Sequence, residues 1–179
     1  GANFRETVRV RIRDARSISL GRHAVQTGQV VTSQPISAGD VLINGITLRA
    51  TRPADDKFST TLATSSAIAK AAAINDTTEF HGVQAYTQPT VRDGVATAGG
   101  TLDENNYISI NGRIVTGLTV GQDDTAEDLL RAINAEFEFT GVLASRDEQS
   151  RIVLTAADGR NIEVIGTGTG GQVTGLIDV

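Results

Sequence analysis

The 179-residue chain contains no cysteine, methionine or tryptophan, and only seven aromatic residues, two Tyr and five Phe. Without cysteine there is no disulfide framework, thiolate nucleophile or zinc–thiolate site. Apolar residues make up 39% of the chain, and no apolar run approaches the length that spans a bilayer, so the protein is expected to be soluble and to avoid membranes. No methionine stands at residue 1, which is expected of an excised or processed piece whose export signal would lie elsewhere.

Reactive constellations are equally sparse. The two histidines, His23 and His81, fall in expected turns or strand edges without a Glu-x-x-His pattern, and read as surface residues. No Gly-x-Ser-x-Gly elbow offers a serine nucleophile. Asp123, Asp124, Glu127 and Asp128 cluster, but without the alternating donors and central glycine of a calcium loop. Carboxylates at the positive end of a helix explain them better. The stretch GTGTGG at 166–171 has dinucleotide-loop spacing, yet only eight residues follow it, and it reads as a flexible connector. No enzyme activity, cofactor or metal is expected.

The net charge of −5 is unevenly placed. Residues 1–22 hold six arginines against Glu6 and Asp14, a balance of +4, which leaves −9 on the remainder. Arg9, Arg11 and Arg13 alternate with Val8, Val10 and Ile12, the period of a strand with one wet face. No aromatic residues interleave to stack bases, and the acidic remainder would repel phosphate, so nucleic acid is not an expected partner.

What is abundant is repetition. VLINGITL at 41–48 and ISINGRIV at 108–115 both set Asn-Gly between β-branched and apolar residues. Both central residues of a type I′ turn need positive φ, which Asn and Gly tolerate, so each stretch predicts a tight hairpin. Each is followed by a helical segment and a Gly-Val strand. Ala73-Ile74-Asn75 aligns with Ala132-Ile133-Asn134, and Gly82-Val83 with Gly141-Val142, both 59 residues apart (132 minus 73, 141 minus 82). The hairpins are 67 apart (110 minus 43), so the first copy carries 8 extra residues, expected as a loop in TRPADDKFS at 51–59.

The second helix is expected to be capped at Thr125, with Ala126, Leu129, Leu130, Ile133 and Phe137 on one face. Ala67, Ala71 and Ile74 predict the same face in the first copy, where Lys70 replaces Leu129 and must snorkel. Strands are predicted over 6–13, 24–31, 41–51, 82–90, 94–98, 107–120, 141–147, 151–156 and 161–166. Asp93-Gly94 and Asp158-Gly159 are expected turns, the second closing another hairpin. The expected fold class is α+β and β-rich: two tandem small antiparallel sheet units, each with one packed helix.

The order Ile-Asn-Gly hairpin, helix with Ala-Ile-Asn, then Gly-Val-x-Ala resembles the flagellin hook IN motif. It is found in the outer, variable domains of bacterial flagellins and in hook-associated proteins. The motif residues would be Ile43, Asn44, Gly45, Ile74, Asn75, Gly82 and Val83, then Ile110, Asn111, Gly112, Ile133, Asn134, Gly141 and Val142. The opening GANFRETVRVRIRDARSISLG is similar to the flagellin segment that follows the N-terminal helical rod. The resemblance implies lead-in strands over 1–34, a first IN-type subdomain over 35–93, a second over 94–168 and a Gly-rich exit over 169–179. It implies a structural subunit of the extracellular filament, exported and supporting motility. Its partners would be other flagellin protomers, met through helical domains missing here, and neighbouring outer domains; the isolated fragment is expected to be monomeric. A hook-associated cap protein and a surface adhesive or glycan-binding module are the alternative readings.

Overall fold

The computed structural model describes residues 24–28 and 30–177. Two compact units are distinguished, Gly1–Val30 and Val31–Val179. The described residues of the first unit carry no regular structure and are exposed. All helices and strands described below belong to the second.

Its elements run β1 (Leu42–Ile43), β2 (Ile46–Thr47), α1 (Ala67–Asn75), α2 (Thr78–His81), β3 (Thr90–Asp93), β4 (Gly100–Leu102), β5 (Tyr107–Ile110), β6 (Arg113–Val115) and β7 (Leu118–Val120). They continue with α3 (Asp128–Ala135), α4 (Phe137–Thr140), β8 (Leu143–Arg146), β9 (Ile152–Ala156), β10 (Val164–Thr167) and α5 (Gly170–Thr174). The strands form four small antiparallel sheets, ordered β1-β2, β10-β5-β6, β3-β9-β8 and β4-β7. The fold is α+β and β-rich.

Both Asn-Gly pairs turn hairpins as their chemistry requires. Asn44 and Gly45 hold φ of 49° and 82°, and Asn111 and Gly112 hold 46° and 80°. Each turn closes on an adjacent strand pair, Ile43 with Ile46 and Ile110 with Arg113. The main core lies around the second copy. Leu129 and Ile133 of α3 pack there with Leu102, Ile108, Ile110, Val142, Ile152 and Leu154, all fully buried. Period-2 burial along β9 puts Ile152, Leu154 and Ala156 inside. The first copy buries Leu48, Ala69 and Ala73 outside that cluster.

Several expectations are corrected. The strand predicted over 6–13 lies outside the described residues. The described part of 24–31 forms no strand, and 82–89 and 94–99 run as irregular chain. Asp93-Gly94 is no turn: Gly94 donates to the Ile152 carbonyl at 2.8 Å and prolongs the β3–β9 ladder. Asp158-Gly159 does not close a hairpin, because β9 pairs with β3 and β8 while β10 crosses to β5.

Helix faces shift as well. In α3, Leu129 and Ile133 are buried, whereas Ala126 lies before the helix and is exposed, and Phe137 opens α4. In α1 the buried residues are Ala69 and Ala73 rather than Ala67, Ala71 and Ile74. A lysine in register with Leu129 cannot enter the core, so the helix turns a neighbouring alanine face inward. Lys70 is half-buried and donates from Nζ to the Thr32 carbonyl at 2.8 Å; burial lowers its pKa.

The glycine-rich stretch is not a loose connector. It supplies β10 and α5, and Val173 and Leu176 behind it join the main core. A Cβ on Gly170 would collide with the Tyr107 backbone, so close packing explains a glycine there.

Candidate functional site

The residues singled out from the sequence come together as two copies of one hydrogen-bonded assembly. In the second copy, the Asn111 side chain leaves the β5–β6 turn, and its Nδ2 donates to the Thr140 carbonyl at the end of α4 at 2.9 Å. Its Oδ1 accepts from the Glu163 amide at 2.9 Å. Asn134, near the end of α3, faces β8. Its Nδ2 donates to the Ala144 carbonyl at 3.0 Å, and its Oδ1 accepts the Ala144 N–H at 2.7 Å. Gly141 ends α4 with φ 67° and returns its N–H to the Phe137 carbonyl at 2.8 Å.

The first copy repeats these bonds except that to Glu163, with the helix and following chain at the 59-residue offset and the hairpin at 67. Asn44 Nδ2 donates to the His81 carbonyl at 2.8 Å. Asn75 binds Ala85 with both amide atoms, at 2.9 and 2.8 Å. Gly82 ends α2 with φ 72° and donates to the Thr78 carbonyl at 2.7 Å. Hairpin, helix pair and following chain are thus joined by two asparagines, because an amide side chain presents the same donor and acceptor as a backbone peptide.

The copies differ in burial. Asn111 is 5% exposed, Ile110 and Ile133 1% and Val142 0%, whereas Asn44, Asn75 and Val83 are exposed and Ile43 and Ile74 half-buried. Gly45 and Gly112 are both exposed at their turn tips.

Sequence reasoning missed two contributors. His81 is buried, not a surface residue. Its Nδ1 accepts the Val83 N–H at 3.0 Å and its Nε2 sits 3.0 Å from the Ile74 carbonyl, which requires the Nε2–H tautomer. At the same offset stands Thr140, whose Oγ1 accepts the Val142 N–H at 3.1 Å and donates to the Glu136 carbonyl at 3.1 Å. That offset places the two residues in register in the sequence itself.

Thr125 does not cap the second helix. Asp124 does so from a 3-10 turn, accepting Leu129 and Leu130 N–H groups at 3.0 and 3.2 Å from full burial. Arg146 of β8 compensates that carboxylate at 3.4 Å, and also donates to the Asp123 and Asp124 carbonyls. The acidic cluster is therefore split by role, with Asp123, Asp124 and Glu127 at φ of 54°, 43° and 59°.

The 8-residue insertion is tied down rather than loose. Its Pro53–Asp55 segment forms a 3-10 turn, and Arg49 forks onto Asp55 at 2.7 and 2.9 Å while Nε reaches Asp76 at 2.7 Å. Asn161 of the second copy donates to the Ser59 hydroxyl and to the Thr61 carbonyl, both at 2.9 Å.

Residues 107–158 match the model of the family described as the flagellin hook IN motif, a span from β5 through β9 that holds Asn111 and Asn134. Flagellin A of Helicobacter pylori is 27% identical over 173 residues, 92% of this chain and 31% of the relative. Flagellin A of Helicobacter felis is 29% identical over 185 residues, 98% of this chain and 34% of the relative. The chain is similar to bacterial flagellins over nearly its whole length and carries their IN motif over residues 107–158. Flagellin B of H. pylori shares 38% identity over 103 residues, 57% of this chain and 20% of the relative. The chain spans about a third of the length of the two flagellin A relatives it matches. Among its described residues, no helix is long and apolar enough to cross a membrane, and no group of His, Asp or Glu could hold a metal ion.

Proposed function

We propose that this chain is a surface-exposed outer region of a flagellin, an extracellular filament subunit, structural rather than enzymatic, and that it supports motility. The supporting observation is where the motif's polar groups go. Asn111, Asn134, Asn44 and Asn75 bind the chain's own backbone, so the motif acts as internal scaffolding. The match over 107–158 covers the second copy; the shared asparagine bonds support reading 41–87 as a second, divergent IN unit. The proposed subdomains are 35–93 and 94–168, with a lead-in segment over 1–34 and the exit segment after 168.

Other flagellin protomers are the proposed partners, through parts of the subunit outside this chain, with neighbouring outer domains as a second contact. A glycan-binding role is less well supported. An open groove lined by Phe58, Ile68, Asn75, Tyr86 and Asp158 has aromatic walls. However, Asn75 is engaged by Ala85 and Asp158 by Arg160.

Deleting residues 35–165 from the full-length subunit tests the proposal. Outer segments bury little of the assembly interface, so filaments form with altered bundling or antigenicity. Electron microscopy showing no filaments, although the shortened subunit is made and exported, would refute the outer placement. A lone fragment that sediments as a dimer would refute the expected monomer.

A further inference from the structure

The two Asn-Gly turns share one backbone conformation and differ in what holds the asparagine. At Asn44 the side chain is exposed, and its one hydrogen bond among the described residues runs from Nδ2 to the His81 carbonyl. At Asn111 the side chain is 5% exposed and held at both ends, by the Thr140 carbonyl and the Glu163 amide. The glycines do not differ: around Gly45 and Gly112 alike, a Cβ would meet no atom within 4 Å.

An asparagine followed by glycine can react with its own chain. The Gly nitrogen attacks the side-chain Cγ, losing its proton to solvent base; the bond from Cγ to the amide nitrogen breaks, and that nitrogen leaves as ammonia. Water then opens the resulting succinimide at either carbonyl, giving aspartate or isoaspartate, with no oxidant or reductant required. Glycine favours attack because no Cβ hinders its nitrogen. The side chain must first rotate free, so each anchoring hydrogen bond and each degree of burial slows the reaction.

We propose that Asn44-Gly45 is a site of spontaneous succinimide-linked deamidation, and that the fold closes Asn111-Gly112 to the same reaction. Conversion at Asn44 removes the Nδ2 donor and sets a carboxylate oxygen against the His81 carbonyl, which it cannot bind. The isoaspartyl product also inserts a methylene into the main chain, which the two-residue turn cannot accommodate. Either product weakens the hairpin's attachment to α2 in the first copy alone and leaves the second copy intact.

The test is peptide mapping by mass spectrometry of the full chain during incubation in mildly alkaline buffer, folded and in urea, with aspartyl and isoaspartyl products resolved at each site. In the folded chain Asn44 converts about tenfold or more faster than Asn111, the factor expected from one further side-chain hydrogen bond plus burial. In urea, where neither side chain is held, the two rates agree within about twofold, since both sites are then open. Equal rates in the folded chain, or faster loss at Asn111, would overturn the proposal. So would an Asn44 that stays intact when folded while converting in urea.

Discussion

Asn134 takes the place of a neighbouring strand beside Ala144: it accepts the Ala144 N–H at 2.7 Å and donates to its carbonyl at 3.0 Å. One edge of β8 is thereby closed by a helix side chain while the other pairs with β9. Ala144 is 6% exposed, so its peptide groups have little access to water if that amide is removed.

Asn134→Ala should therefore cost about 2–3 kcal/mol, the range for two lost bonds that strand poorly hydrated backbone groups. Asn75→Ala removes the same pair of bonds from an exposed side chain, where water replaces them, and should cost under about 1 kcal/mol. Urea denaturation of the two variants checks the ordering; equal losses would show that burial does not distinguish the copies.

Gly112→Val should destabilise the second copy by about 1–3 kcal/mol, the cost of holding a β-branched residue at positive φ. Since a Cβ at Gly112 meets nothing within 4 Å, the loss is conformational and not steric. Gly112→Asn should recover much of it. Thermal melts of both variants decide this, and a valine variant melting like the parent would contradict the turn geometry.

His81→Thr should be milder than His81→Leu by about 1 kcal/mol or more, because a hydroxyl can still accept the Val83 N–H as Thr140 accepts that of Val142. Leucine leaves that N–H and the Ile74 carbonyl without their partner. If the two variants unfold at the same urea concentration, His81 acts only by filling space.

Acid should weaken the anchoring of the insertion. The Arg49 guanidinium holds the Asp55 carboxyl below the ordinary carboxylate value, aided by the Arg52 N–H and opposed by burial. With the folded pKa depressed, the stabilisation is full above the unfolded value near 4 and is lost as pH falls through the folded value. Arg49→Gln should flatten this acid limb while lowering stability at neutral pH. A pH series of denaturation curves that keeps its slope below about pH 4 in the variant would assign the acid response elsewhere.

Much of the second copy was legible in the sequence because its signals are local. Asn111-Gly112 specifies the turn through backbone sterics alone. The helical spacing of Leu129 and Ile133 marks the buried face, and the offsets of 59 residues for Asn75 and Asn134 and 67 for Asn44 and Asn111 place both asparagine pairs in register before any contact is known. Thr125 misled because Asp124, one residue earlier, reaches the same helix end from a left-handed backbone conformation that no spacing rule anticipates.

Sequence alone determined the two turns, one helix after each in outline and the repeated pattern, each written within a few adjacent residues; the short second helices Thr78–His81 and Phe137–Thr140 were not anticipated. Tertiary structure decided the rest. That β9 takes β3 rather than β10 as a partner depends on chain segments some sixty residues apart, as does the placement of Arg146 against Asp124 across 22 positions. Lys70 could be recognised as misplaced, but only packing chose Ala69 and Ala73 as the inward face. The glycines of 166–171 read as flexible because a missing side chain gives conformational freedom. In the fold the same absence lets backbone approach backbone, and those glycines lie where the chain is too crowded for anything larger.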